Sequence, residues 1–252
     1  MKRLLTLAAF LFLVTACHAQ TQTAICTAKS TTAGSSCTIT VQANQTIIMM
    51  GTAFAAYTTL DSNSWWCAPG NFQHAQTYVD PNSTLFNITT GISACVTGSH
   101  AGSDTFTVNP TQFQIGSSIV ITQWSGLSNA SNISGAAILD SFVGATSSGT
   151  GAITGGNLVT TVTGDLLLVI GSAANNTQSL TVGAGYTQDE NYNYIEASVN
   201  TYVTAAAEHQ TAAGPGSYAA NFTVSSTGPW AIQAIAIATS SVAALVHRRQ
   251  IY

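Results

Sequence analysis

Charge is what this chain has least of. Asp, Glu, Lys and Arg make up 6% of its 252 residues, against roughly 25% in an ordinary soluble domain. The basic residues are Lys2, Arg3, Lys29, Arg248 and Arg249, so only histidine is cationic between Lys29 and Arg248. With a formal charge of −4, the chain lacks the phosphate contacts on which nucleic-acid binding depends. A P-loop lysine, a Schiff-base lysine and an arginine clamp have no candidate in its body. No C-x-x-C pair suggests a zinc knuckle, no G-x-S-x-G suggests a nucleophile elbow, and helical periodicity is almost absent.

What is there begins with a leader. Met1-Lys2-Arg3 is basic, residues 4–14 are apolar but for Thr6, and small residues follow. Residues 1–19 therefore read as a secretory signal peptide. Two processing sites compete. Val14-Thr15-Ala16-Cys17 resembles a lipobox that would lipidate Cys17, and Cys17-His18-Ala19 resembles a cleavage site that would release a chain starting at Gln20. Release is the preferred reading. Either way Cys26, Cys37, Cys67 and Cys95 remain, an even number in an exported chain, and they imply two disulfides. Three pairings exist. Cys26–Cys37 with Cys67–Cys95 is favoured, because the first pair flanks a Ser/Thr/Gly turn.

Apolar residues make up 46%, enough for a core, and they recur in short runs separated by Gly, Asn, Ser and Thr. Strands are expected at 37–41, 46–55, 76–79, 104–108, 118–124, 158–162, 165–172, 192–205, 218–224 and 230–238. The class is all-β: one sandwich or jelly roll of antiparallel strands over residues 20–240, stapled by two disulfides. Residues 141–157, rich in Gly, Ser and Thr, read as a long loop or an interdomain linker. The continuous run Asp165-Leu166-Leu167-Leu168-Val169-Ile170 marks a central strand covered on both faces. Residues 230–246 are apolar and lead to His247-Arg248-Arg249, as in a membrane anchor. The final-strand reading of 230–238 is preferred, with 241–252 a short tail.

Trp124-Ser125-Gly126, Gly164-Asp165-Leu166-Leu167-Leu168, Gly183-Ala184-Gly185-Tyr186-Thr187, Gly216-Ser217-Tyr218-Ala219-Ala220 and Trp230-Ala231-Ile232 occur in that order. The set resembles a group of uncharacterised exported bacterial β-sandwich proteins of lectin-like or jelly-roll appearance, across residues 38–238. The resemblance implies one fold over that span. It implies no activity and transfers no catalytic residue. Asp61-Ser62-Asn63-Ser64-Trp65 departs from the group's Asp-Ser-x-Gly-Asn turn by lacking the Gly.

For chemistry, Gly98-Ser99-His100-Ala101-Gly102 sets Ser beside His, but strand neighbours point to opposite faces and form no relay. The acids are Asp61, Asp80, Asp104, Asp140, Asp165, Asp189, Glu190, Glu196 and Glu208. A glycosidase needs two of them about 5–9.5 Å apart, and Glu196, mid-strand, is the best candidate. Asp189-Glu190-Asn191-Tyr192-Asn193 alternates oxygen donors and leaves room for a structural calcium ion, but lacks the Gly and terminal Glu of an EF-hand loop. No cofactor and no metal ligand is assigned. The sharpest pattern is the expected strand 192–205. There Tyr192, Tyr194, Glu196, Asn200 and Tyr202 share one parity, forming a face of rings and hydrogen-bonding groups that suits sugar stacking. Trp65, beside Trp66 and Cys67, is a second aromatic candidate.

The expectation is an extracellular or cell-envelope, non-catalytic β-sandwich that binds carbohydrate or another surface polymer. The alternative is a self-associating subunit of a surface layer or filament, and a glycan-cleaving enzyme ranks third. Contact with a membrane is expected only through a lipidated Cys17 or the C-terminal tail.

Overall fold

A computed structural model describes residues 20–31, 34–55, 60–62, 73–79, 87–110, 114–128, 135–136, 139–174, 179–196 and 201–239. No helix occurs among them. The strands are β1 Thr21–Ser30, β2 Ser35–Val41, β3 Thr46–Ala55, β4 Leu60–Ser62, β5 His74–Tyr78, β6 Asn87–Val96, β7 Gly102–Pro110, β8 Gln114–Ser125, β9 Gly135–Ala136, β10 Leu139–Thr160, β11 Leu166–Ala174, β12 Thr187–Glu196, β13 Thr201–Thr211 and β14 Gly216–Ile237. All pairing is antiparallel. The first sheet runs β1-β8-β3-β6-β5, with β9 added to β6. The second runs β10-β14-β11-β13-β12, and a small third sheet runs β2-β7-β4.

Shared cores order these sheets. In β2 the odd-numbered residues are buried and the even-numbered ones exposed, so one face of the small sheet is apolar. Cys37, Ile39, Val41, Phe106 and Val108 on that face meet Ile47, Met49, Ile119 and Ile121 of the first sheet. The opposite face of the first sheet presents Ile48, Met50, Ile92, Val120 and Trp124, which meet Leu166, Leu168, Ile170, Ala207, Ile235 and Ile237 of the second. The first sheet is thus covered on both sides. This explains why β6 is buried at every position although Asn87, Thr89, Thr90 and Ser93 are polar.

The second sheet is covered on its other side by its own strands. Strands β10 and β14 are each 22 residues long and stay paired along their length, with register breaks at Gly149/Gly151 and Thr154/Gly156. Gly149 and Gly151 hold positive φ angles of 152° and 86°, which side-chain-bearing residues rarely adopt. At this crease the two-stranded ribbon folds over. Its far half contributes Ile153, Leu158, Ala220, Phe222 and Val224, which pack on Leu167, Val169, Ala206, Ile232, Ala234 and Ala236. The far half lies so close that a Cβ built on Gly155 would be 3.5 Å from the Cα of Gly144, in the same strand.

Several sequence expectations change. Residues 141–157 are neither loop nor linker but most of β10. Their Gly and Thr content reflects a strand that must crease and approach itself. The expected strands 218–224 and 230–238 are one strand, β14. Its second half lies between β10 and β11, so the strand reading of 230–238 holds. No helix among the described residues is long and apolar enough to cross a membrane, and residues 240–252 lie outside the described set. β11 is central and wholly buried, as its unbroken apolar run requires.

Cys26 of β1 and Cys37 of β2 form a disulfide, with Cα atoms 5.9 Å apart. It ties an edge of the first sheet to the small sheet. Cys95 is also disulfide-bonded, and Cys67 lies outside the described residues. Closing an 11-residue span removes denatured-state entropy worth about 2–3 kcal/mol. Replacing both Cys26 and Cys37 with Ser should lower unfolding stability by that amount. A urea titration of both proteins measures it, and coincident midpoints would exclude the contribution.

Candidate functional site

The expected aromatic platform divides. Residues 192–205 are not one strand, because Glu196 pairs with Thr201 and the chain reverses between them. Alternation of polar and apolar residues continues through Ala197-Ser198-Val199-Asn200, which lacks Gly and Pro, so periodicity did not mark the reversal. Tyr192 is paired with Ala205, Tyr194 with Val203 and Ile195 with Tyr202. Directly opposed residues share a face, so Tyr202 stands on the opposite face from Tyr192. Asn200 and Trp65 lie outside the described residues, as do the side chains of Tyr194 and Glu196.

Tyr192 faces the first sheet. With Glu190 it lines a shallow crevice, together with Ser118 and Val120 of β8, Ile170 of β11 and Ala205, Ala206 and Ala207 of β13. The alanines keep its floor low. The Lys29 ammonium sits 4.8 Å from the centroid of the Tyr192 ring, a distance for cation–π attraction. Burial pushes the Tyr192 phenol up. A hydrogen bond with Thr27 opposes that shift, and the Glu190 carboxylate adds to it. This is a seam where β1, an edge of the first sheet, meets β12, an edge of the second.

The seam continues past a bulge. Register shifts between Gln188 and Glu190, and this re-aims the extra residue, Asp189. Its Oδ1 lies 2.8 Å from His209 Nδ1, with the Asp189 side chain only 2% exposed. Gln22 Nε2 donates to the same oxygen at 3.4 Å. The His209 ring meets Trp124 edge-on, with centroids 5.0 Å apart. One rung further, Gln20 Nε2 donates to Thr211 Oγ1 at 2.5 Å. The Gln20 Oε1 is buried with no partner among the described residues.

On the far side of β13, Glu208 is fully buried. Its Oε2 accepts the Gly183 N–H at 2.8 Å, and its Oε1 has no partner among the described residues. Burial first, with the Asp189 charge adding and the Gly183 N–H opposing, pushes its carboxyl up to about 8. Tyr186 is pushed up by burial and then by Glu208 and Tyr218. At neutral pH Glu208 is an acid, not a carboxylate.

A second acid pair, Asp140 with Asp165, roots the folded ribbon. Asp165 is fully buried and accepts the Thr239 N–H at 3.2 Å. Burial, then Asp140, pushes it up to about 6. Asp140 accepts from the Thr161 N–H and, at 2.9 Å, from its hydroxyl. Burial works against its ionisation, yet the hydrogen bonds from Thr161 and Asp165 hold Asp140 below the usual carboxylate range. The two carboxyls interact, Asp165 from inside the protein and Asp140 from its surface. Asp104 pairs with His100. Among the described residues no group of three His, Cys, Asp or Glu side chains is placed to hold a metal. Asp189 is engaged with His209, and the Asn191 amide donates to Leu180 O and Gln188 Oε1, so their alternation does not make one coordination shell.

Comparison with family models, curated proteins and solved structures finds no match for this chain. The site therefore rests on its own geometry. Sequence reasoning found Tyr192, set Asp189 and Glu190 beside it only as oxygen donors for calcium, and missed Lys29, His209, Gln20 and Thr211. Of these four, only Lys29 carried a signal, as the single Lys or Arg between Arg3 and Arg248.

Proposed function

We propose that the chain is an exported, non-catalytic β-sandwich that binds a neutral or anionic glycan at the seam between its two larger sheets. The single observation that carries this is the Tyr192 crevice. It combines an aromatic ring and a carboxylate in Glu190 over a floor of alanines, with the Lys29 ammonium over the ring. A ring can stack on the C–H face of a sugar, while Glu190 and Lys29 bind hydroxyl or carboxylate groups. The crevice has no interior room even for a water molecule, whereas pockets that engulf a ligand enclose roughly 300–1,000 Å³, so a sugar would rest across its mouth. The leader and the Cys26–Cys37 bridge support an oxidising, extracellular destination. The buried Cys95 is assigned Cys67 as its partner.

A glycan array with purified protein tests this reading. Tyr192→Ala should weaken the best binder about tenfold, the loss of one stacking contact, and Tyr202→Ala, on the other face, should leave it unchanged. Binding indifferent to Tyr192, or none across the array, rejects the proposal.

One observation favours a structural subunit as the second reading. The exposed face of the small sheet carries hydroxyls in facing pairs, Ser36 with Thr107 at 2.9 Å and Thr38 with Thr105 at 2.8 Å. Such a surface lacks the charges that discourage lateral association, and concentration-dependent light scattering would reveal it.

A further inference from the structure

We propose that Thr211 and Gln20 are the two halves of an intramolecular ester that forms spontaneously and locks the first sheet to the second. Gln20 immediately precedes β1, at the edge of the first sheet, and Thr211 ends β13 of the second. Their side chains meet across the seam, with Nε2 and Oγ1 2.5 Å apart. The amide carbon, one C–N bond from that nitrogen, is therefore within about 4 Å of the hydroxyl oxygen. That is close to the roughly 3–3.5 Å from which attack proceeds. In the contact drawn, the hydroxyl accepts from the amide, which leaves its own O–H to be given up to a base.

A base stands one rung away. His209 is two residues before Thr211 and so lies on the same face of β13. Asp189 Oδ1 fixes its Nδ1 at 2.8 Å, which directs the neutral imidazole to use Nε2, and no described residue hydrogen-bonds to Nε2. A carboxylate orienting a histidine beside a hydroxyl is the arrangement that activates an alcohol. In the reaction, Thr211 Oγ1 bonds to the Gln20 side-chain carbonyl carbon and the carbon–nitrogen bond breaks. The hydroxyl proton passes by way of His209 to the departing nitrogen, which leaves as ammonia. No oxidant or co-reactant is needed. The gain is mechanical, because β1 then cannot peel from the molecule.

The scarcity of basic residues supplies the experiment. Trypsin has no site between Lys29 and Arg248. After reduction of Cys26–Cys37 and denaturation, it frees the peptide ending at Lys29 unless a second covalent bond retains it. In the linked protein that peptide stays joined to the 30–248 fragment, the intact mass is lower by one ammonia, and hydroxylamine releases the peptide. Thr211→Ala should free the peptide without hydroxylamine. Thr23→Ala, which alters a different Thr–Gln contact, should retain it. His209→Ala should slow linkage about 100-fold. Release from the unmodified protein by trypsin alone overturns the proposal. So does loss of ammonia by cyclisation of an N-terminal Gln20, which peptide mapping distinguishes. Linkage of His209→Ala at the wild-type rate overturns the role given to the histidine.

Discussion

Glu208→Gln should make the protein more stable at pH 8, and the gain should shrink to nothing below about pH 4.5. The carboxyl keeps its proton up to about pH 8 in the folded chain, against an ordinary value of 4.5. The folded state therefore binds this proton more tightly than the unfolded state does. Unfolding releases it, so stability falls as pH rises from 4.5 through 8 and levels off above. Each unit is worth about 1.4 kcal/mol. Glutamine keeps the acceptor for the Gly183 N–H and carries no charge to bury, so it avoids most of this penalty. The expected gain at pH 8 is ~2–4 kcal/mol, or roughly 5–10 °C in melting temperature for a chain of this size. Thermal melts of both proteins from pH 4 to pH 9 measure it. Parallel curves, with no convergence in acid, would mean that Glu208 is ionised inside the fold. Asp165 acts in the same direction over a lower window, from 3.8 to about 6, so wild-type stability should decline with rising pH throughout the mildly acidic range.

The second large effect concerns the folded ribbon. Phe222→Ala should cost ~3–5 kcal/mol, the usual penalty for emptying a buried aromatic site, because the ring is 1% exposed. Gly171→Ala should cost ~1–3 kcal/mol through overpacking. A Cβ on Gly171 would sit 2.5 Å from Phe222 Cδ2 and 2.7 Å from Cε2, and the ring lies in the same buried core as Ile153, Leu158 and Val169. The two changes should not add. With the ring gone, the new methyl group fills space instead of colliding, so the double variant should be more stable than the sum by ~0.5–3 kcal/mol. Urea midpoints at constant m decide this. An additive double variant would place Phe222 away from Gly171 and remove the fold-over from the description of the second sheet.

The sequence disclosed the all-β class and the strands whose burial is simple. Residues 46–55 match β3 at both ends, and the unbroken apolar run from Leu166 predicts β11. Strand β6 was hidden because Asn87, Thr89, Thr90 and Ser93 are polar, and their burial depends on sheets packed to either side. Strand β10 was hidden because the glycines that let it crease also resemble a linker. At the site, alternation placed Tyr192 correctly on a strand but joined it to Tyr202 across a reversal. The meeting of Gln20 with Thr211, 191 positions apart, depends on the stacking of two sheets and leaves no trace in local pattern.

The placement of β14 also sets when this molecule can be finished. Leu139 pairs with Ile237 and Leu166 pairs with the same residue, so the strand between the earlier ones arrives last. Until the chain has emerged past Ile237, β10 and β11 have an empty lane between them, with unpaired backbone facing it from either side. Contacts this distant along the chain make for slow assembly. A chain built this way acquires its second sheet in a single late insertion, and the interval before it is when the molecule is most open to misassociation.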